Sequence, residues 1–205
     1  MTYPTVSQSY ASFTNQSFLL REISIVAELL QNGQPQPVLR RIVIEDDPFQ
    51  LDSVHTRKKV LGVSLKRLAG APLQLLDFLA NGSYDLRRQT NLYLVLLQHR
   101  LLREFLADVV LEQFASFEPK FSQTEVSAFM ERKREQAPEI AAWSNTTFTK
   151  ARSNLVKMCV ESELLFRNDD SLEIQSQLIA GPLRDHITEA GHQTLLRLML
   201  DQEAL

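Results

Sequence analysis

Between Ile140 and Val160 the chain carries no acidic residue, although acids outnumber bases overall by 25 to 22. In that window Asn145, Thr146 and Thr149 lead into Lys150, Arg152, Ser153, Asn154 and Lys157. Lysine and arginine neutralise phosphates, and Asn, Ser and Thr hydrogen-bond phosphate oxygens or base edges, so the set has the chemistry of nucleic-acid contact. At about 100° per residue, Thr146, Lys150, Ser153 and Lys157 share one helical face, and Phe148, Ala151, Leu155, Met158 and Cys159 share the other. One face is basic and wet; the other is core. The competing reading is an ordinary surface helix, because a few bases on an amphipathic helix need no ligand.

The neighbouring elements would have to hold that helix in place. Ser144 or Asn145 can cap its start by accepting a hydrogen bond from an unpaired backbone N–H of the first turn. Upstream, Ser122 and Glu125 form a capping box that opens a helix to about Glu135, with Val126, Phe129 and Met130 as its apolar stripe. Pro138 starts a short segment ending at Trp143, which reads as a core anchor. Downstream, Leu164-Leu165-Phe166 and Leu172-Glu173-Ile174 flank Arg167-Asn168-Asp169-Asp170-Ser171, an arrangement that predicts a hairpin around an Asn/Asp turn. Helix, short helix, longer basic helix and hairpin is the order of a winged helix-turn-helix, whose recognition helix enters the major groove. Asp169, Asp170 and Glu173 put negative charge on the wing, which argues against its tip gripping phosphate.

A second acid-free run, Ser53 to Leu76, holds Arg57, Lys58, Lys59, Lys66 and Arg67. Such a run can follow a phosphate backbone. It can equally form a salt-bridged surface with Glu45, Asp46, Asp47 and Asp52. The candidate nucleic-acid-binding residues are therefore Arg57, Lys58, Lys59, Thr146, Lys150, Arg152 and Lys157.

Other chemistry lacks its signatures. His55, His99, His186 and His192 are scattered and no cysteine pair exists, so zinc-ligand spacing is absent. There is no Gly-rich phosphate loop, no G-x-S-x-G and no H-E-x-x-H. The expectation is no cofactor, no metal, no catalytic constellation and no small-molecule substrate. His186 and His192 flank a turn at Gly191 and read as surface histidines. The lone Cys159 lies on an apolar face, reads as a buried structural thiol and fits a reducing cytoplasm. Leu92 to Leu97, the longest apolar run, is far short of the ~20 residues of a membrane helix. Met1 to Gln16, polar and aromatic, reads as a loose arm and no secretory signal.

At 205 residues, 44% of them hydrophobic, the chain can bury one good core or two small ones. Six glycines and eight prolines leave long stretches of 3.6-residue periodicity, which makes the fold class mainly α. Helices are expected at Ser17 to Gln31 (with Leu19, Ile23, Val26 and Leu30 inward, closed by Asn32-Gly33), Gln36 to Glu45, Leu51 to Leu68 and Pro72 to Leu79. A helical pattern then runs from Ser83 or Asp85 to about Phe117, and its length predicts a bend or break near His99 to Leu101. Glu118-Pro119-Lys120 marks a boundary, giving a helical N-terminal domain, 1–117, and a winged-helix-like C-terminal domain, 118–205, with one short β-hairpin. Pro182 to Gly191 and His192 to Gln202 would close the chain as two helices. The two parts carry net charges of +1 and −4. With an overall −3 and a pI near 5.8, any nucleic-acid binding must use local patches.

Several segments taken in order resemble the BrxA family: Tyr10 and Ser12, Phe18-Leu19-Leu20-Arg21-Glu22, Thr56-Arg57-Lys58-Lys59, Arg67-Leu68, Leu101-Leu102-Arg103-Glu104-Phe105, and Trp143-Ser144 with Thr147 and Lys150. The resemblance spans most of the chain. It implies a mostly helical, cytoplasmic, non-enzymatic component of BREX, a bacterial phage-exclusion system, that binds double-stranded DNA and works beside other BREX subunits. It also implies a similarity to the NusB-type helical fold of an RNA-binding antitermination factor. The alternative function is a helical scaffold that assembles other defence subunits without touching DNA.

Overall fold

Three of the longer helices begin at serine caps, Ser53, Ser122 and Ser144, whose hydroxyls accept from first-turn N–H groups. The computed structural model describes residues 6–11, 17–116, 119–168 and 171–204. It divides into two compact units, one formed by residues 19–95 and the other by the described residues of 6–18 and from 96 onward. The division falls inside a helix. The compositional boundary at 117/118 falls on two residues outside those described.

In the first unit, α1 (Leu20–Gln31) packs against α3 (Val54–Leu68) and α4 (Leu73–Asn81). Ile23, Val26 and Ala27 of α1 meet a core that includes Leu61, Leu75 and Leu79, all essentially without solvent. The helix starts three residues later than the periodicity predicts, because Leu19 takes a left-handed conformation (φ 52°) that breaks the helical path. Leu19 and Leu30, expected inward, are only half-buried, and Ser24 and Ala27 are buried instead. At the other end Gly33, at φ 68°, terminates α1 as expected. Next, α2 (Gln36–Arg41) runs on as a π-helical turn, Ile42–Asp46. Ser53 caps α3 by accepting from the Thr56 N–H at 3.1 Å. After α4 comes α5 (Tyr84–Gln98), the helix in which the units divide. Its residues from Arg88 to Leu97 are buried on every side.

The predicted break is at His99, whose backbone is extended (φ −118°, ψ 92°). It opens the second unit's α6 (Arg100–Phe105), a π-helical turn Leu106–Leu111 and α7 (Glu112–Ala115). A strand absent from the sequence reading follows: β1 (Lys120–Ser122) leads into α8 (Gln123–Gln136), α9 (Pro138–Ala141) and α10 (Asn145–Glu161). Then come β2 (Leu165–Asn168), β3 (Ser171–Ile174), α11 (Gly181–Glu189) and α12 (Gln193–Leu198). The sheet is antiparallel in the order β1-β3-β2, so the expected hairpin gains a third strand by pairing Lys120 with Glu173 and Phe121 with Leu172. Phe121, Leu165, Leu172 and Ile174 form its inner face, and Phe105 meets Phe121 and Phe129 edge-on at 6.2 and 5.3 Å between centroids.

Two expectations are corrected in this unit. The described part of the N-terminal arm, 6–11, is tied down. Ser7 N–H donates to the Leu97 carbonyl at 2.8 Å, Arg103 donates to the Ser7 carbonyl, and Arg100 donates to the Gln8 carbonyl at 3.1 Å. The Tyr10 hydroxyl reaches both oxygens of Glu104, at 2.9 and 2.8 Å. His186, read as a surface residue, is buried. Burial holds its pKa below the ordinary value, with Glu189 opposing and His192 adding to the effect.

Candidate nucleic-acid interface

Helix α10 is long enough to present two distinct faces, one buried and one exposed. Ser144 caps it, its hydroxyl accepting from the Thr147 N–H at 3.2 Å. Phe148, Ala151, Leu155, Met158 and Cys159 are buried as the periodicity predicts, and Val156 joins them. Burial pushes the Cys159 thiol far above its ordinary pKa, which keeps it protonated and inert. On the opposite face Asn145, Thr146, Thr149, Lys150, Ser153 and Lys157 are exposed.

The basic residues of this face differ in their engagements. Lys150 makes no ion pair among the described residues. Lys157 lies 3.7 Å from Glu161, whose other carboxylate oxygen accepts from the Phe18 N–H at 3.2 Å. Arg152 is half-buried and donates to the Ser127 hydroxyl at 3.1 Å, tying α10 to α8. The Arg134 guanidinium of α8 stacks 4.7 Å from the Phe148 ring and braces the same joint. Trp143, between α9 and α10, is half-buried.

The sheet next to α10 carries less free negative charge than its sequence suggests. Glu173 is paired with Lys120 at 2.8 Å and accepts from the Asn168 amide at 3.1 Å. Lys120 first, then Asn168, hold its carboxyl below the ordinary pKa. Asp169 and Asp170, the other wing acids, lie outside the described residues. On β2, Phe166 is 59% exposed and Arg167 is exposed beside it.

The Arg57 group belongs to α3 in the first unit. Arg57 donates to the Ile44 carbonyl at 2.7 Å and the Leu51 carbonyl at 2.9 Å, and it pairs with Asp47 at 3.2 Å. Its guanidinium therefore fastens the loop between the π-helical turn and α3, and it is only 16% exposed. Lys58 and Lys59 point outward. Arg67, further along α3, is buried and donates to Asn91 at 3.1 Å. Lys66 is exposed.

Sequence reasoning missed a half-buried polar network in the second unit. Lys133 lies 2.9 Å from both Glu104 and Asp108, Arg100 is 2.7 Å from Glu104, and the Arg100 guanidinium covers the Tyr10 ring at 4.3 Å. Burial raises the Glu104 carboxyl, but hydrogen bonds from Lys133, Arg100 and Tyr10 outweigh it and hold it below its ordinary value. The i,i+4 spacing of Arg100 and Glu104 was the one visible signal. Tyr10, Arg103 and Glu104, which carried part of the family resemblance, are thus structural groups that clamp the N-terminal segment.

The profile of the BrxA family matches residues 8–191. The chain is 22% identical over 192 residues to a protein of Bacillus cereus described as "BREX protein BrxA", covering 94% of this chain and 96% of that one. A protein of the same description from Paramagnetospirillum magneticum is 24% identical over 181 residues, 88% and 90% of the two chains. Among solved structures, that of an uncharacterized protein from Magnetospirillum magneticum superposes with a TM-score of 0.79 at 22% identity, over 93% of this chain and 97% of the other. That likeness establishes the shared fold.

Proposed function

From the premise that this chain belongs to the BrxA family, we propose that it is a non-catalytic, double-stranded DNA-binding component of a bacterial BREX phage-defence system. The observation that carries this reading is the exposed face of α10, where Thr146, Lys150, Ser153 and Lys157 meet no acid before Glu161 at the last position of the helix, set opposite a buried face. α9 and α10 serve as a helix-turn-helix, α8 supports them, and β2 with β3 forms a wing in which Arg167 and Phe166 face outward. Lys150 and Lys157 meet the backbone, and Thr146 lies where a recognition helix reads base edges. Arg152 contributes by holding α10 on α8. Lys58 and Lys59 add a second electrostatic surface, with Arg57 fixing the loop beneath them. The protein works in the cytoplasm alongside other BREX subunits.

The test is fluorescence anisotropy with a labelled duplex over a range of salt concentrations. Duplex should bind with a clear salt dependence, and the Lys150→Glu/Lys157→Glu double variant should lose at least about tenfold in affinity. An unchanged affinity in a folded double variant would remove α10 from the interface.

A groove of about 420 Å³ in the first unit favours a second reading. Leu20, Ile25, Ala80 and the exposed Tyr84 line it with Arg21 and Arg87, a surface suited to an adaptor that gathers other defence subunits. Co-purification of such subunits that survives nuclease treatment separates this role from bridging through DNA.

A further inference from the structure

Gly62 stands in the interior of α3 without any internal reason to be glycine. Gly33, Gly70 and Gly191 adopt positive φ, and a Cβ on Gly82 would lie 2.3 Å from the Phe78 carbonyl oxygen, so those four are required by the fold. Gly181 sits at the start of α11, where glycine costs little. At Gly62 the backbone is helical, the residue is exposed, and an added Cβ would meet nothing within 4 Å. Glycine is nonetheless among the least favourable residues in a helix interior, through backbone entropy.

Its neighbours suggest what the missing side chain makes room for. His55, Lys58, Lys59, Gly62 and Lys66 are all exposed and share an arc of roughly 100°. The buried residues Leu61, Ser64, Arg67 and Leu68 occupy the opposite side. No acid lies anywhere on α3. A helix face with cations above and below a bare backbone position lets a line of anions come closer to the helix axis than a side chain would allow, which is the use of glycine at close backbone approach.

We infer that the His55, Lys58, Lys59 and Lys66 face of α3 is a second docking surface for the phosphate backbone of duplex DNA, with Gly62 as the point of closest approach. This rests on the reading of the protein as a duplex-binding one, and it adds a residue whose role is steric.

The experiment uses the full chain, a labelled mixed-sequence duplex of about 25 base pairs, and the variants Gly62→Ala and Gly62→Leu. Alanine should raise the melting temperature by about 2–4 °C, because it is the better helix former. The same change should weaken duplex binding roughly tenfold and reduce the log–log salt slope by about 1, with leucine weakening it further. Stability and binding moving in opposite directions is a result that a purely structural glycine cannot give. If Gly62→Ala binds the duplex as tightly as the parent while Lys150→Glu/Lys157→Glu loses binding, the proposed function stands and this inference falls. If the parent itself binds no duplex, both fall. A loss confined to a hairpin RNA probe would overturn the assignment to DNA.

Discussion

Lys150 and Lys157 carry the same charge on the same helical face, yet they give up different things on meeting a phosphate. Lys157 already has the Glu161 carboxylate at 3.7 Å, so binding exchanges one ion pair for another. Lys150 surrenders only hydration. Lys150→Ala should therefore weaken duplex binding more than Lys157→Ala, by roughly two- to fivefold, a difference set by the modest worth of an exposed ion pair. Parallel anisotropy titrations decide it, and equal losses would mean that the Glu161 pair is immaterial. Arg57 shows the limit of reading charge from sequence. Its spacing with Lys58 and Lys59 is visible, but a guanidinium fastened to the Ile44 and Leu51 carbonyls has the same letter as one open to solvent.

At the scale of elements, the capping box at Ser122 offers the sharpest test. Its hydroxyl accepts from the Thr124 N–H at 3.1 Å, while Glu125 returns a carboxylate to the Ser122 N–H at 3.1 Å. Ser122→Ala should cost about 1 kcal/mol, measurable as a lower denaturant midpoint with unchanged slope. Loss of helix without loss of stability would contradict it. This box, the Ser144 cap, the break at His99 and the glycine after α1 were legible in the sequence, because each is decided by residues within a turn of one another. The third strand was not legible. Lys120-Phe121-Ser122 has one apolar residue, and its partner lies beyond three helices. The late start of α1 was hidden as well, since the left-handed turn at Leu19 uses a residue that rarely takes that conformation. Tyr10 and Glu104 are 94 positions apart, and nothing local links a tyrosine near the N-terminus to an acid in α6.

For the molecule as a whole, a net charge of −3 means that its long-range field repels a polyanion, and attraction begins only near the basic faces. The outward lysines of α3 and α10 are Lys58, Lys59, Lys66, Lys150 and Lys157. Even with every one of them on a phosphate, the log–log salt slope for duplex should be no steeper than about −5. A steeper slope would require cations on surfaces outside these two helices. The same acidity predicts slow association at low protein charge density, so affinity differences among variants should show mainly in dissociation rates.

The pairing of Lys120 with Glu173 has a kinetic meaning. It joins the two ends of a stretch of roughly fifty residues, and closing so long a loop before its interior is ordered carries a large entropic penalty. Once α8, α9 and α10 have formed, the ends are already close and the strands can zip with little further loss. The β1–β3 pairing should therefore be the last part of this stretch to assemble and the first to open, whereas the β2–β3 hairpin closes locally. Phe121, in the middle of the edge strand β1, should therefore, when truncated to alanine, speed unfolding and hardly change the folding rate in a stopped-flow chevron.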